Sequence, residues 1–463
     1  MTAWGFLLAL VAFCALPCSE ALHFTPEAAN STLRSSYDYI IVGGGTTGLT
    51  IANRLSENSS GRDDARNLTI PKGLLPVPGV IGNGGWSEYE WGLITEPQTY
   101  LNDQYMEIPQ GKAIGGSSIL NGLCWTRGPA SDYDGWEKLG NKGWSWDDML
   151  PYFKKASNVL DGFSELGIPI IDDPNNGTAA GAMLLPSSMH PTNQTRSDAR
   201  EAHFNVADRR SNLHVATGQT VTRLILEPYN RFTGSRRVVG VEKDFVDDKS
   251  SGEAVPDDAP HSVKVGYEAQ KEILREQVLS NDMGIFETMA NSWGQLTVAA
   301  QKTFSRGTVR PSTSSIFDPP LLDPRYCSDP IDCEIIVLGL QLNMKLIETK
   351  AMKELMPEPY TAFNTTDHDK LMREVLRGLT TERHPSGTVA MMPRDMGGVV
   401  DPELRVYGTC NLRVADASIM PLIPSAHLQA VVYAIAEKAA DMIKATIPDC
   451  PHGPFPPKPR PTD

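Results

Sequence analysis

Hydrophobic and polar positions along the chain fall into blocks with readable periods. Tyr39-Ile40-Ile41-Val42 is a β-branched run that predicts a strand, and it ends in Gly43-Gly44-Gly45-Thr46-Thr47-Gly48. A helical pattern follows through Leu49, Ile51, Ala52 and Leu55, so the order is strand, glycine turn, helix. Residues 82–147 hold six of the eight tryptophans among many glycines, which predicts long surface segments. His214 to Glu227 predicts strand, turn, strand. Residues 246–260 are acidic and polar and predict an exposed loop. Val263-Lys264-Val265 predicts a short strand, and Leu296 to Val309 a strand, a turn at Gly307 and another strand. Ile335 to Leu355 predicts a helix. So does Leu428 to Lys444, with apolar residues at 428, 431, 432, 435, 439, 442 and 443. The tail from Pro448 is Pro-rich, and no internal repeat is visible.

Length and charge narrow the classes. At 463 residues the chain suits two or three domains, and 40% hydrophobic residues can bury a sizeable core. A net charge of −14 speaks against nucleic acid or an anionic membrane surface as a partner. Trp4 to Pro17 is an apolar run of fourteen residues, too short to span a bilayer and suited to a signal-peptide core. Ser19 and Ala21 stand at −3 and −1 of a cut before Leu22, so residues 1–21 read as a signal peptide. No later run is apolar enough to cross a membrane. The expected location is secreted or within the secretory pathway. Six Asn-X-Ser/Thr triplets agree with it: Asn30, Asn58, Asn67, Asn176, Asn193 and Asn364. Beyond the leader, Cys124, Cys327, Cys333, Cys410 and Cys450 remain. Five is odd, so at least one thiol is free or pairs between chains; Cys327 with Cys333 is the pair favoured by proximity.

Gly43, Gly45 and Gly48 form GxGxxG between strand and helix. The first glycine allows the tight turn, the second a close approach to a pyrophosphate, the third close packing of helix on strand. The free N–H groups of the helix start then face the diphosphate. The motif alone does not choose between NAD and FAD. Its usual companion, an acidic residue about twenty positions on that binds ribose, is missing: position 68 is Leu68, and Asp63 and Asp64 lie before it in a polar context. Farther on, Gly115-Gly116-Ser117-Ser118 is a permissive turn rich in donors, and Asn121-Gly122-Leu123-Cys124 adds a carboxamide and another permissive backbone.

Three segments together resemble the glucose–methanol–choline (GMC) family of FAD oxidoreductases. They are YDYIIVGGGTTGLTIANRLSE (37–57), PQGKAIGGSSILNGLCWTRG (109–128), and the stretch from His384 to Lys444 that begins HPSGTVAMMPRDMGGVVDPELRVYG. The resemblance implies an α/β fold: an FAD-binding Rossmann-like domain, with a second, smaller α+β substrate domain carrying an antiparallel sheet. It implies FAD contacts at Gly43, Gly45, Thr46, Thr47, Gly48, Gly116, Ser117, Asn121, Gly122, Leu123, Cys124, Val221, Asp416, Ala417, His427, Leu428 and Gln429. The FAD-binding domain is expected from residues 37–150, 197–284 and 384–447, the substrate domain from 151–196 and 285–383, and a Pro-rich tail from 448–463.

His384 and His427 are the expected catalytic pair, within the HxxGT and SAH patterns that resemble the family's. An alcohol must lose its hydroxyl proton as hydride leaves its carbon, and an imidazole with an ordinary pKa of about 6.5 suits that proton. The partner is a small-molecule alcohol, and the electron acceptor is left open between oxygen and a quinone. No metal is expected: HExxH and CxxC are absent, as is the GxSxG of serine hydrolases. Two segments expected of the family are missing, the acid-ended second strand near Ser60–Asp64 and a Ser-Gly-Pro-rich second signature after Val265. Three readings follow: a flavoenzyme oxidising an alcohol, a non-redox cyclase on the same scaffold, or a shortened, inactive remnant.

Overall fold

The computed structural model describes residues 22–24, 39–57, 90–153, 175, 177, 188, 196–207, 210, 213–216, 220–226, 238–244, 259–280, 283–290, 296–315, 317–353 and 363–445. The leader, most of the acidic 246–260 stretch, the Pro-rich tail and five of the six Asn-X-Ser/Thr triplets lie outside them. Asn364 lies within them and is exposed.

The main core forms around α7 (Gln429–Ala445), the helix predicted from 428 to 444. Its alanines at 430, 434, 436, 439 and 440 favour helix and let neighbours approach closely. Against it pack α1 (Thr46–Ser56), α2 (Ala130–Lys138), α3 (Trp146–Phe153) and the chain from 389 to 428. Arg54 of α1 reaches Glu437 and, at 2.6 Å, Asp441, which pins the C-terminal helix to the glycine-loop helix. The tryptophan-rich region departs from its expectation. Trp91 is exposed, but Trp136, Trp144 and Trp146 are buried and interlock with Tyr133 and Phe153 at ring separations of 5.2–6.1 Å. Large rings bury more apolar area than a surface segment could leave in water, so glycine-rich spacing here serves packing.

Four two-stranded sheets are present among the described residues. β1 (Leu22–Phe24) pairs parallel with β2 (His214–Ala216). β3 (Thr220–Leu226) pairs antiparallel with β4 (Val238–Asp244), with register shifts after Val221 and Ile225. β2 and β3 match the two strands predicted within 214–227. After α4 (His261–Val278) come β5 (Phe286–Ala290) and β6 (Leu296–Ala300), antiparallel, then β7 (Thr308–Arg310) and β8 (Leu321–Asp323), also antiparallel. The strands predicted around Gly307 therefore exist but pair with β5 and β8 rather than with each other. Val263-Lys264-Val265 is the first turn of α4, not a strand: Pro260 precedes it, and an N-terminal proline favours helix entry. A second core joins α5 (Ile331–Ile347) and α6 (His368–Gly378) through Val337, Leu371 and Val375. The Cys327–Cys333 disulfide closes there, as expected from proximity, Cys410 is also disulfide-bonded, and Cys124 is free.

One prediction fails in an informative way. Tyr39 to Val42 forms no strand, and these residues are 53%, 52%, 38% and 60% exposed. Among the described residues nothing pairs with their backbone. A β-branched run becomes a strand only when neighbours take its hydrogen bonds and cover its faces.

Candidate functional site

A cavity of about 4040 Å³ runs from the glycine loop to the two histidines. That is several times the roughly 300–1,000 Å³ of an ordinary small-molecule pocket. Residues 39–42 line its open end.

At the glycine loop, Gly43 sits at φ +106° and turns the chain into α1. A Cβ on Gly48 would lie 2.0 Å from the Gly43 carbonyl oxygen, so only glycine permits this turn. Gly45 caps α1 with no side-chain hydrogen bond, followed by Thr46 and Thr47. The segment 115–119 closes over the loop: the Gly115 N–H donates to the Gly44 carbonyl at 2.9 Å, and a Cβ on Gly116 would meet Gly45 Cα at 2.7 Å.

Several expected contact residues already have structural partners. Ser117 Oγ accepts from the Gly111 N–H and donates to Gln110. The Asn121 amide donates to Gln429 at 2.8 Å, while its oxygen accepts from Arg196 and from the Leu123 N–H. Leu123 is buried with φ +68°, a turn conformation that this hydrogen bond holds. Gly122, Cys124, Asp416, Ala417, Leu428 and Gln429 line the cavity. Asp416 also accepts from the Ser418 N–H at 2.8 Å, shaping the turn before the histidine segment. Val221 lies in β3 opposite Lys243, and its strand neighbour Leu224 reaches the cavity wall.

The two histidines, 43 positions apart in sequence, meet edge to face with ring centroids 5.4 Å apart. Their segments are tied together. The N–H groups of Gly387, Val389 and Met391 donate to the carbonyls of Ala417, Ser418 and Ile419. Burial, the charge of His427 and that of Arg383 push the His384 pKa down to about 3, so this ring is neutral. Burial also works against charge on His427. Hydrogen bonding to Cys124 and the Glu287 carboxylate at 3.3 Å outweighs it and pushes this pKa up to about 11. A neutral imidazole thus sits against an imidazolium.

Nothing in the sequence pointed to Glu287 or Glu382. Glu382 lies 4.0 Å from His427 Nδ1, with its carboxyl raised by burial despite a side chain about one-third open to the cavity. Glu287 sits on β5, and nothing in its local pattern marks it. Glu382, His384 and His427 place ligand-type atoms within 4.8 Å of one another. A carboxyl and two imidazoles can hold a proton between them or ligate a cation.

GMC oxidoreductase profiles match residues 37–161 and 303–436, together more than half of the chain. The fold is that of solved FAD-dependent oxidoreductases. One from Chaetomium thermophilum has a TM-score of 0.77 at 23% identity, covering 88% of this chain and 99% of that one. A fungal aryl-alcohol oxidase has a TM-score of 0.69 at 21% identity, covering 89% and 99%. The chain belongs to the GMC oxidoreductase family, FAD-dependent enzymes that act on CH–OH groups. Among relatives, the GMC oxidoreductase family protein Mala s 12 of Malassezia sympodialis is 26% identical, covering 88% of this chain and 92% of its own. A glucose oxidase-like protein of Humicola fuscoatra is 27% identical, covering 88% and 95%. The first alignment spans 580 positions, whereas 88% of 463 residues is about 407, so about 170 positions have no counterpart here. The chain is internally shortened against that relative.

The residues present fit FAD. The bare start of α1 offers N–H groups for the diphosphate, and the glycine turn leaves no Cβ in their way. Gln429 lines the cavity, and among the described residues its Nε2 has only the Tyr433 hydroxyl within reach, so it can turn to a polar ligand.

Proposed function

We propose that this chain oxidises an alcohol group of a small molecule with His384 as proton acceptor. The observation that carries the reading is the perpendicular His384–His427 pair at the cavity wall, and the opposite directions of their pKa shifts agree with it. Bound FAD supplies the hydride acceptor. The imidazolium of His427 donates a hydrogen bond to the alcohol oxygen and orients the carbinol. The neutral ring of His384 then takes the hydroxyl proton. A weak base suffices, because the oxygen becomes far more acidic as its carbon turns into a carbonyl. Glu287 holds the imidazolium in place and keeps it charged.

The FAD-binding part would comprise residues 37–150, 197–284 and 384–447, and the substrate part 151–196 and 285–383. The loop contacts at Gly43–Gly48, Gly116–Ser117 and Asn121–Cys124 would follow the cofactor toward Asp416, Ala417 and Leu428. Val221 would add a backbone contact. The apolar leader Trp4–Pro17 and the exposed Asn364 support a secreted glycoprotein. A secondary-metabolite alcohol is the proposed substrate; a glucose oxidase-like protein and a dehydrogenase among the fungal relatives agree with alcohol oxidation. The deciding experiment incubates FAD-loaded protein with a panel of benzylic and primary alcohols. Oxygen uptake and reduction of a quinone dye are followed in parallel. Alcohol-dependent reduction of either acceptor supports the reading; product formation with neither reduced would mark a non-redox cyclase.

A further inference from the structure

The segment that carries His427 is gripped from several sides. Gln270 donates to the Pro421 carbonyl, Trp136 to that of Leu422, and Lys302 to that of Ile423. Asp132 accepts from the Ser425 N–H at 2.6 Å, and Thr126 from the His427 N–H at 2.9 Å. Two of these side chains are charged and bonded to each other. Lys302 and Asp132 form an ion pair at 0% and 1% exposure. They act on opposite sides of Pro424, Lys302 on the residue before it and Asp132 on the residue after it. Proline offers no N–H and interrupts regular backbone pairing, so these two flanking groups need side-chain partners once buried.

Lys302 follows β6 by two residues. Its hairpin partner β5 carries Glu287, opposite Ala299 of β6, and Gln301 donates to Glu287 at 2.8 Å. One hairpin therefore reaches the same segment twice, with Glu287 on the histidine ring and Lys302 on the backbone ahead of it. A buried ion pair is often replaceable by apolar residues with no loss of stability, so stability is a poor account of this one.

We propose that the Lys302–Asp132 pair is a positioning device that sets His427 against both Glu287 and His384. Neither residue touches the reacting atoms; both act through the 423–425 backbone. The groups that face the His427 ring are Glu287 from β5, Glu382 and His384 from the 382–384 segment, and Cys124, with Arg383 beside Glu382. If the pair is removed, the ring drifts from Glu287 and loses one of the partners that hold its proton.

The test uses the full chain labelled with 15N-histidine, with FAD added, and reads ring protonation by NMR against pH. His427→Asn assigns the signal. In the parent protein the His427 ring should stay protonated beyond pH 9, given its pKa of about 11. Asp132→Asn with Lys302→Met removes both charges together, so no lone charge is left buried. This double variant should fold, and its His427 should lose its proton at clearly lower pH than in the parent, below pH 9. Trp136→Phe frees the Leu422 carbonyl instead; it should lower Tm and leave the titration unchanged. A folded double variant whose His427 stays protonated beyond pH 9 would overturn the proposal, as would an equal shift in Trp136→Phe. Should the double variant not fold, Lys302→Arg is read instead. A partial fall in the same titration is expected there, and an unchanged one overturns the proposal. No substrate is needed, so this outcome is independent of whether the alcohol reading holds.

Discussion

The two ends of the cavity differ in how far the chain alone completes them. At the histidine end, His384 and His427 lie on segments that hydrogen-bond each other and are gripped by Gln270, Trp136, Lys302, Asp132 and Thr126. At the glycine end, the turn and helix α1 are formed, but the run that should lead into them, Tyr39–Val42, is exposed and has no strand partner among the described residues. The histidine pair is held by the core around α7 and by the β5–β6 hairpin. The cofactor end depends on strand neighbours, and the sequence carries no acid at the position about twenty residues after the glycine turn. A site can thus be set up for proton chemistry while its hold on the cofactor is weakened.

The largest expected effect is at the histidine end. His384→Ala or His427→Ala should lower alcohol oxidation on the order of 10²–10⁴-fold while leaving FAD bound. Turnover measured beside flavin absorbance checks this, and full activity in both variants would show that neither ring takes the proton.

At the glycine end the effect should be on affinity. The missing ribose contact is a charge-assisted hydrogen bond worth roughly 1.5–3 kcal/mol, so FAD should bind about tenfold to a hundredfold more weakly than with the acid present. The protein should purify with substoichiometric FAD, and inserting an acid-ended strand after Ser60 should raise occupancy. Flavin fluorescence titration of both forms decides it; equal, tight binding would show that the gap is harmless and that the two ends are equally complete.

Trp136→Phe separates packing from cofactor binding. It leaves the buried Leu422 carbonyl without its donor, which should cost about 1–3 kcal/mol. Urea midpoints should fall with FAD affinity unchanged. A parallel loss of FAD would mean that the ends are coupled through the core.

A further effect concerns pH. His384 has a folded pKa of about 3, below its unfolded value of about 6.5. The unfolded chain takes a proton that the folded one refuses. Stability should therefore fall as pH drops from about 6.5 toward 3, by up to about 1.4 kcal/mol per unit. His427 acts oppositely. Its raised pKa contributes stability that is present below about 6.5 and lost as pH rises toward 11. Urea unfolding at pH 7, 5 and 4 should show a shallower acid slope for His384→Asn than for the parent, and identical slopes would remove His384 from the acid response.

Much of the architecture was legible in periodicity. Helix α7 follows from the spacing of apolar residues over 428–443, and α1 from Leu49, Ile51 and Leu55 behind a glycine turn. Gly43 and Gly48 were legible because backbone sterics at a tight turn admit only glycine. The failures share a cause. Tyr39–Val42 has strand composition but no strand partner among the described residues, Val263–Val265 has strand composition inside a helix entered after Pro260, and the strands on either side of Gly307 pair with other neighbours. Composition states what a segment prefers, whereas pairing is settled by what lies beside it.

By itself the sequence determined the glycine turn, the helices that flank it and close the chain, and the two histidines as candidates for proton transfer. Those features depend on short-range sterics, on helical period and on side-chain chemistry. Only the tertiary structure brought Glu287 to His427, set His384 neutral against it, and placed Lys302 and Asp132 on either side of Pro424. Charge state and orientation depend on burial and on partners from distant parts of the chain. Asp132 and Lys302 lie 170 positions apart, and no local pattern encodes that meeting.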